Sequence, residues 1–582
     1  MYPKKELAQL VISACHQFHI DTVIISPGSR NAPLTIGFSN HPKIETLSVV
    51  DERCAAFFAL GIAQQKRKPV AMICSSGSAL LNYYPAIAEA FYSNIPLVVI
   101  SADRPKHLID IGDGQTIRQE NVFENHVLFS ANLTESTNKS GNQFIQNKTL
   151  VSKALQIAIS KKAPVHINVP FDEPLYETVD DLKMIDFSEN LEENNQNTNF
   201  QDAKNYQKLI EIWNTSSKKM ILVGSHFPED ELQAVLTDLA DNQGVLVFTE
   251  TTSNLYHLKF INSIDKLIIP LNEADFSALR PAVLITLGGM VISKKIKQFL
   301  RKYTPENHWH IDEFKPMDTY QCLSEFVQEK PVHFLRKLAN QQEDYQENQQ
   351  ENKVSELAEI SNIYQQKWLV KKQERHQKHQ QYLANCEYSD LKVFETVLKA
   401  IPNNSQLQIS NSSIIRYSQL FDTNKTLQIF CNRGTSGIDG STSTAIGAGF
   451  ATKTIKKTTF ITGDLSFFYD SNALWNDNIP TDFRIIIINN AGGGIFRFIP
   501  GPSTTNATNY FETPHHLTAE HLAKMYDFEY TAISNLEELT TELNGLNGLN
   551  DFYAESGKPK IMEVFTPKEI NDVVLKNYFK NL

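Results

Sequence analysis

Residues 457–494 read KTTFITGDLSFFYDSNALWNDNIPTDFRIIIINNAGGG, and this stretch decides the fold class. Its two apolar runs, at 458–462 and 483–489, have the length of buried strands, and each ends in glycine or polar residues. The segment between them is long enough for a crossover helix. A strand–helix–strand unit of this kind predicts parallel strands in a sheet covered by helices on both faces.

The same order of elements occurs near the start of the chain. KPVAMICSSGSALLN at 68–82 corresponds to the first strand of the quoted stretch, and IPLVVISADR at 95–104 corresponds to the second. The strand ends Cys74 and Thr462 are 388 residues apart, and the second pair of strand ends has the same offset. We therefore predict two domains with the same doubly wound topology.

Between these regions lies a block with three further predicted strands, at 220–223, 245–249 and 283–286. It predicts a Rossmann-like domain, and the lack of a GxGxxG motif disfavours a dinucleotide site there. Polar low-complexity segments at 188–205 and 340–353 are predicted to be linkers or exposed helix ends, the second continuing as a solvated helix to Ala384. The predicted fold class is α/β, with three doubly wound, mostly parallel-sheet domains at residues 1–187, 205–340 and 385–582.

The composition is that of a globular protein of 582 residues, 41% hydrophobic and 21% charged, with a net charge of −11. An acidic chain is a poor candidate for general nucleic-acid binding, which depends on Lys and Arg at phosphates. No apolar run reaches the ~18 residues of a membrane span, and the start has no signal core. The six cysteines are scattered without a CxxC pair, which disfavours a disulfide or zinc site and predicts a reducing, cytoplasmic setting.

Polar residues at the two strand ends of the quoted stretch predict a metal site. Asp464 follows the first strand and Asn490 follows the second, 26 residues later, and doubly wound sheets bind ligands at the carboxyl ends of their strands. A carboxylate, an amide oxygen and a glycine carbonyl are hard ligands that suit Mg²⁺ together with phosphate oxygens and water. The glycines at 492–494 let the backbone approach a diphosphate. Either motif alone is more often a turn, but the two at crossover spacing favour a metal–diphosphate site.

The GD pair followed by NN resembles the thiamine-diphosphate motif of the decarboxylase and acetohydroxyacid-synthase superfamily. Many members read GDG where this chain reads GDLS (463–466), and GDLS is similar to the 2-succinyl-5-enolpyruvyl-6-hydroxy-3-cyclohexene-1-carboxylate synthase family of menaquinone biosynthesis. Further stretches resemble that family in the same order along nearly the whole chain: SPGSR (26–30), DER (51–53), ADRP (102–105), QTIRQ (115–119) and NRGTSGIDG (432–440).

The resemblance implies a thiamine-diphosphate-dependent transferase, a carboligase, that binds thiamine diphosphate with Mg²⁺ or Mn²⁺. Glu52 is implied to face the aminopyrimidine ring, where a carboxyl hydrogen bond favours the imino tautomer, although Glu52 also suits the first turn of a helix at 52–66. Ile438 is implied to keep the cofactor bent. The implied cofactor-binding residues are Glu52, Ser76, Gly77, Ile438, Gly463, Asp464, Leu465, Ser466, Asn490, Gly492 and Gly493, and the implied metal ligands are Asp464, Asn490 and Gly492.

The substrates of that family, 2-oxoglutarate and isochorismate, each carry two carboxylates, so an acidic protein needs convergent basic side chains to bind them. The implied substrate-binding residues are Ser29, Arg30, Arg104, Gln115, Lys294, Lys295, Ser412, Arg416 and Arg433. Lys295 departs from the family, which usually has Arg there, and any single arginine is as often a surface salt bridge. Arg118 and Gln119 are interpreted as supports for Gln115. His515 and His516 are interpreted as solvated loop residues rather than proton shuttles.

The implied reaction is decarboxylation of 2-oxoglutarate and conjugate addition of the resulting carbanion to isochorismate, which gives 2-succinyl-5-enolpyruvyl-6-hydroxy-3-cyclohexene-1-carboxylate and CO₂. In the superfamily the cofactor lies between the first domain of one subunit and the third domain of another. The resemblance therefore implies a homo-oligomer, at least a dimer, with a tetramer favoured. The alternatives are another 2-oxo-acid decarboxylase or carboligase of the same superfamily, and a non-catalytic binding homologue.

Overall fold

The computed structural model describes residues 1–135, 141–188, 203–348, 351–453, 457–498, 501, 504–544 and 552–582, without the side chains of 203–204, 341–348 and 351–357. The described chain is built on three parallel sheets flanked by helices, which confirms the predicted α/β class. Most of the linker predicted at 188–205 lies outside the described residues. No helix in the described ranges is both long and apolar enough to cross a membrane.

The first sheet contains six parallel strands: β2 (Thr22–Ile25), β3 (Glu45–Ser48), β4 (Val70–Cys74), β5 (Leu97–Asp103), β6 (Ser130–Asn132) and β7 (Val165–Pro170). Their spatial order is β3-β2-β4-β5-β7-β6. Two short strands, β1 (Tyr2–Pro3) and β8 (Thr178–Val179), pair antiparallel beside it. The helices of this region are Glu6–Gln17, Ala32–Ser39, Glu52–Lys66, Ala79–Asn82, Tyr84–Ser93 and Gly141–Lys161, with a 3₁₀ turn at Lys106–Leu108.

The segment between β4 and β5 forms two helices, Ala79–Asn82 and Tyr84–Ser93, rather than one. It is interrupted at Tyr83, and the second helix starts at Tyr84 with Pro85 in its first turn. Proline has no N–H to donate to the preceding turn, so it fits the start of a helix better than its interior.

The third sheet repeats the topology of the first. Its strands are β14 (Gln406–Ile409), β15 (Gln428–Phe430), β16 (Thr458–Gly463), β17 (Arg484–Asn489), β18 (Glu529–Ile533) and β19 (Lys560–Phe565). Their order, β15-β14-β16-β17-β19-β18, matches the first sheet strand for strand, which confirms the predicted repeat. Its helices are Asp390–Ala400, Ser413–Ser418, Ser441–Thr452, Asp464–Tyr469, Ile495–Phe498, Ala507–Phe511, Glu520–Met525, Leu536–Asn544 and Asn571–Asn581, with a 3₁₀ turn at Ser471–Leu474.

The middle sheet has five parallel strands in the order β10-β9-β11-β12-β13. These are β9 (Lys219–Val223), β10 (Leu246–Thr249), β11 (Val283–Leu287), β12 (Asn307–Ile311) and β13 (Glu325–Val327). The sequence predicted the first three and missed the last two, because β12 reads NHWHI with two histidines and β13 is a three-residue edge strand. Its helices are Ala203–Thr215, Asp230–Asn242, Ile264–Ile268, Glu273–Leu279, Lys294–Lys302 and Pro331–Asn348, with a 3₁₀ turn at Thr251–Ser253.

A long helix, Glu351–Ala384, leads from the middle sheet to the third. The expectation that it is solvated throughout is wrong, because the Trp368 side chain is completely buried against the middle sheet's core. The Gln365 side chain also donates hydrogen bonds to the carbonyls of Ala240 (2.7 Å) and Val245 (2.8 Å). These contacts anchor one part of the helix to the middle region.

The first and third sheets share a hydrophobic core formed around the helices Glu52–Lys66 and Ser441–Thr452. Glycines allow these helices to approach closely. A Cβ added at Gly61 would lie 2.1 Å from the carbonyl oxygen of Thr444, and one added at Gly447 would lie 2.1 Å from that of Phe58. The shared core therefore fixes how the first region sits against the third within one chain.

Candidate active site

The third sheet brings Asp464 and Asn490 to one edge. Strands β16 and β17 are neighbours, with Gly463 opposite Ile488 in the parallel register. Asp464 begins the helix after β16, Asn490 directly follows β17, and both side chains are buried. The N–H of Gly492 donates to Asp464 Oδ2 (2.8 Å), so all three predicted metal ligands lie together.

The nitrogen of the Asn490 side-chain amide has a hydrogen-bond partner, and its oxygen has none in the described chain. Its Nδ2 donates to Asp390 Oδ2 (2.9 Å), whereas its Oδ1 is buried and has no hydrogen-bond partner among the described residues. A buried polar atom without a partner is costly unless a ligand satisfies it. The oxygen set at this edge, from Asp464, Asn490 and the Gly492 carbonyl, therefore fits Mg²⁺.

No group of three or more His, Cys, Asp and Glu side chains suited to a metal ion occurs within the described ranges. A metal at this edge would consequently depend on an amide oxygen and a main-chain oxygen in addition to the Asp464 carboxylate.

The loop after Asn490 requires glycine at position 492. Gly492 has φ +138°, and a Cβ there would lie 2.4 Å from the carbonyl oxygen of Glu512. The Glu512 carboxylate in turn accepts two hydrogen bonds from Arg497, at 2.7 and 3.0 Å. This bidentate ion pair ties the helix Ile495–Phe498 to the segment that carries Glu512.

Two further predicted cofactor residues meet beside Asp464. The Ser466 hydroxyl donates to the carbonyl of Ile438 (2.7 Å), which ties the loop at 432–440 to the helix Asp464–Tyr469. Ile438 and Leu465 are both half-buried in the two segments that this hydrogen bond joins.

His515 differs from its interpretation as a solvated loop residue. Its Nε2 lies 3.3 Å from Asp464 Oδ2, and its side chain is 11% exposed. The ring also packs edge-on against Phe468, at 5.5 Å between centroids. His516 is exposed, as expected. His515 therefore joins the set of residues around Asp464, a position that its loop sequence gave no reason to predict.

Glu52 lies at the matching edge of the first sheet. Asp51 caps its helix, with Oδ1 accepting from the N–H of Cys54 (3.1 Å). The Glu52 carboxylate has no hydrogen bond or ion pair within the described part of the chain, and its charge, after burial, helps raise the pKa of the Cys74 thiol at the end of β4. No such contact joins Glu52 to Asp464 or Asn490 in one chain.

The predicted residues Ser76 and Gly77 form a tight loop after β4. The Ser76 hydroxyl donates to the carbonyl of Gln115 (3.0 Å), and the N–H of Gly77 donates to Gln119 Oε1 (2.9 Å). Gln119 is fully buried, and its amide also donates to Asn168 Oδ1 (2.9 Å). Gln119 thus holds Gly77 in addition to any support of Gln115, while Arg118 is exposed and pairs with Asp110.

The predicted substrate-binding residues form two groups. In the first, Arg30 is buried and donates to the carbonyl of Phe171 (2.8 Å). Burial and then the Arg104 charge lower the pKa of Arg30. Arg30 also forms an ion pair with Glu173 (3.2 Å), and Arg104 forms one with Asp113 (3.7 Å). Ser29 and Gln115 are exposed on the adjacent loops.

The second group lies between the middle and third sheets. Burial and the nearby Arg433 charge lower the pKa of Arg416, and the Arg416 guanidinium donates to the carbonyl of Ser412. Lys294 and Lys295 begin the facing helix, Lys294–Lys302, and are exposed. The structure therefore places these predicted residues around one junction, which also holds the buried carboxyls of Asp265 and Glu250.

Glu89 fixes the loop that carries Arg433. Its buried carboxylate accepts hydrogen bonds from the N–H groups of Gly434 (2.7 Å) and Thr435 (2.6 Å) and from the Thr435 hydroxyl (2.9 Å). A Cβ at Gly434 would lie 2.5 Å from the Glu89 carbonyl oxygen. A glutamate of the first region thereby positions an arginine of the third.

As Glu89 does for the loop with Arg433, Glu250 holds backbone N–H groups just before the helix Lys294–Lys302. It follows β10, is buried, and accepts hydrogen bonds from the N–H groups of Ile292 (2.6 Å) and Ser293 (2.8 Å). Burial raises the pKa of this carboxyl to about 7, against the opposing effects of those hydrogen bonds and of Arg433. Glu250 also sits at a strand end, but a single glutamate after a strand has no sequence motif that marks it as a site residue.

We expect Glu250 to make the protein less stable as pH rises from about 4.5 to about 7. Its pKa is higher in the folded chain than in the unfolded chain, so the folded state binds more protons in this window, and the free energy of unfolding falls with pH. The loss approaches about 3 kcal/mol by linkage. Urea unfolding of the wild type and Glu250→Gln across this range measures it. A difference between the two that does not change with pH contradicts the assignment.

Two family models match the chain. One is described as "Thiamine pyrophosphate enzyme, N-terminal TPP binding domain" and matches residues 5–128, and the other, "Middle domain of thiamine pyrophosphate", matches residues 188–409. The chain is also similar over its length to proteins named 2-succinyl-5-enolpyruvyl-6-hydroxy-3-cyclohexene-1-carboxylate synthase. The Flavobacterium johnsoniae protein is 52% identical, with 100% of both chains covered. Those of Christiangramia forsetii and Porphyromonas gingivalis are 48% and 36% identical, covering 99% of this chain and 99% and 97% of theirs.

Proposed function

The chain belongs to the 2-succinyl-5-enolpyruvyl-6-hydroxy-3-cyclohexene-1-carboxylate synthase family, and from this premise we propose that it joins 2-oxoglutarate to isochorismate in menaquinone biosynthesis. The bond between C1 and C2 of 2-oxoglutarate breaks, and CO₂ leaves. The electron pair kept at C2 forms a new carbon–carbon bond to the isochorismate ring, which takes up one proton. Thiamine diphosphate is the cofactor of this thiamine-dependent enzyme, and when bound it supplies the electron sink for these steps.

The observation that carries the proposal is the pairing of Asp464 with the unsatisfied Asn490 oxygen at adjacent strand ends. Asp464, Asn490 and Gly492 would hold Mg²⁺, or Mn²⁺ in its place. Gly463, Leu465, Ser466 and Gly493 would surround the diphosphate, since they line the same edge. Ile438 would support the cofactor rings, because Ser466 holds its loop beside Asp464.

The first sheet would supply the other half of the site. Glu52 would hold and exchange a proton at the aminopyrimidine ring, and Ser76 and Gly77 would contact the same ring from the loop after β4. The Glu52 carboxylate is free of protein partners in the described chain, which suits a ligand-facing role. Because no contact joins Glu52 to Asp464 within one chain, we propose that each site forms between two subunits of a dimer or tetramer.

The two basic groups would bind the substrate carboxylates. The first, Arg30 and Arg104, has Ser29 and Gln115 beside it. The second combines Arg416 and Arg433 with Ser412, Lys294 and Lys295. In each group the charge of one arginine lowers the pKa of another, so a bound dicarboxylate would stabilise the charged guanidinium groups. A lysine at position 295 would act as a point charge rather than a planar fork.

A product assay tests the function directly. The purified protein is incubated with thiamine diphosphate, Mg²⁺ and 2-oxoglutarate, with and without isochorismate, and the products are identified by mass spectrometry. We expect the conjugate-addition product and CO₂ only when both substrates are present. Release of succinic semialdehyde at a rate unaffected by isochorismate would instead indicate a simple decarboxylase. Calorimetry that shows no binding of thiamine diphosphate would rule out the catalytic proposal.

The cytoplasmic setting and the lack of nucleic-acid binding stay predictions.

A further inference from the structure

We propose that Asp390 is a positioning residue that determines which end of the Asn490 amide faces the metal ion. This inference rests on the proposed function, because it concerns the same Mg²⁺ site. Asp390 lies 100 residues before Asn490, outside the stretch that carries the metal-binding motif, and it begins the helix Asp390–Ala400.

Two hydrogen bonds hold Asp390 in place, one at its side chain and one at its backbone. Its Oδ1 accepts a hydrogen bond from the Thr566 hydroxyl (2.6 Å), and its backbone N–H donates to Asn571 Oδ1 (2.8 Å). Thr566 follows β19, and its own N–H donates to the carbonyl of Asn489 (3.0 Å). The side chain is 2% exposed. The carboxylate therefore presents Oδ2 to Asn490 from a fixed place beside the strand end.

The hydrogen-bonding chemistry of the Asp390 carboxylate and the Asn490 amide determines how the amide is oriented. An amide has a donating end and an accepting end, which are nearly equal in shape, whereas an ionised carboxylate only accepts. Nδ2 of Asn490 must therefore point at Asp390, and Oδ1 must point away from it. In the structure Oδ1 is buried without a hydrogen-bond partner in the described chain. Without Asp390, the amide could turn and present its NH₂ group to the cation, which repels it.

The loop after Asn490 also passes close to the Asn490 amide. A Cβ added at Gly494 would lie 3.2 Å from Asn490 Nδ2, so a side chain there would press on the amide. Outer residues that orient metal ligands commonly change metal affinity by 10–100-fold when they are replaced. Asp390 has the geometry of such a residue.

The test measures metal affinity in variants of the full-length protein. With saturating thiamine diphosphate, Mg²⁺ is titrated by calorimetry and Mn²⁺ by electron paramagnetic resonance. We expect Asp390→Ala to weaken binding of either ion by about 10–100-fold. The KM for Mg²⁺ should rise by a similar factor, while kcat at saturating Mg²⁺ stays near the wild-type value. Asp390→Asn should recover most of the affinity, because its oxygen can accept the same hydrogen bond.

Glu395→Ala is the matched control. Glu395 lies on the same helix and pairs only with Lys392 and Lys399 in the hydrogen bonds and ion pairs described, so its removal should leave metal affinity unchanged. Wild-type affinity in Asp390→Ala would overturn the inference. So would a loss of thermal stability in the metal-free protein without a change in affinity, or a loss in Asp390→Asn as large as in Asp390→Ala. If the wild type itself binds neither Mg²⁺ nor thiamine diphosphate, it is the proposed function that fails.

Discussion

Replacing Glu52 with glutamine is expected to lower kcat by about 10²- to 10⁴-fold while thiamine diphosphate remains bound. A carboxyl group can give a proton to a ring nitrogen and take it back, and an amide cannot. The diphosphate and metal end of the cofactor would be held by the third region, around Asp464 and Asn490, so the substitution removes nothing that anchors it. The measurement is steady-state turnover together with calorimetric binding of thiamine diphosphate.

The surroundings of Glu52 indicate that the substitution changes catalysis without changing stability. Glu52 has no hydrogen bond or ion pair to lose within the described residues, and its helix is capped by Asp51 rather than by Glu52 itself. We therefore expect a change in unfolding free energy within about 0.5 kcal/mol. Glu124→Gln, an exposed glutamate of the same region, is the matched control and should turn over like the wild type. Turnover near the wild-type rate in Glu52→Gln contradicts the role given to Glu52.

The sequence predicted the parts of the site that depend on local pattern. Apolar strands followed by glycine or polar residues located β4, β16 and β17, and parallel topology then required Asp464 and Asn490 to share an edge. That reasoning needed only the crossover spacing of a strand–helix–strand unit. The repeated topology of the first and third sheets followed in the same way, from strands at a constant offset.

The remaining parts could not be predicted because their contacts join distant segments. Asp390 reaches Asn490 across 100 residues, and Glu89 reaches Gly434 across 345. In the sequence, Asp390 is an ordinary first-turn helix residue and Glu89 is a polar residue in an amphipathic helix. The fold of the third region alone brings Asp390 to Asn490. The packing of the first region on the third, through the helices Glu52–Lys66 and Ser441–Thr452, brings Glu89 to Gly434. Burial of His515 has the same origin, since the loop that carries it folds back onto Gly492.

Replacing Asp464 with alanine is expected to weaken Mg²⁺-dependent binding of thiamine diphosphate by more than about 100-fold. Loss of an outer residue commonly costs 10–100-fold in metal affinity, and a charged ligand contributes more. Alanine also frees the N–H of Gly492, which donates to Asp464 Oδ2. Asp464→Asn keeps an acceptor for the Gly492 N–H but loses the negative charge. It therefore separates the effect of the lost charge from the effect of the lost hydrogen bond. Asp477→Ala, an exposed aspartate of the same region, should bind the cofactor normally. Unchanged affinity in Asp464→Ala contradicts a metal site at this edge.

Combining the two inactive variants tests whether one site draws on two chains. A dimer with one Glu52→Gln subunit and one Asp464→Ala subunit carries both substitutions in one site and neither in the other, provided that Glu52 of each chain serves the Asp464 of its partner. Such dimers, isolated through two different affinity tags, should therefore recover about half of the wild-type activity per dimer. If Glu52 and Asp464 of the same chain formed each site, every site would carry one substitution and the mixed dimer would stay inactive. The activity of the mixed dimer therefore distinguishes a site shared between two chains from a site within one chain, which neither single variant can do.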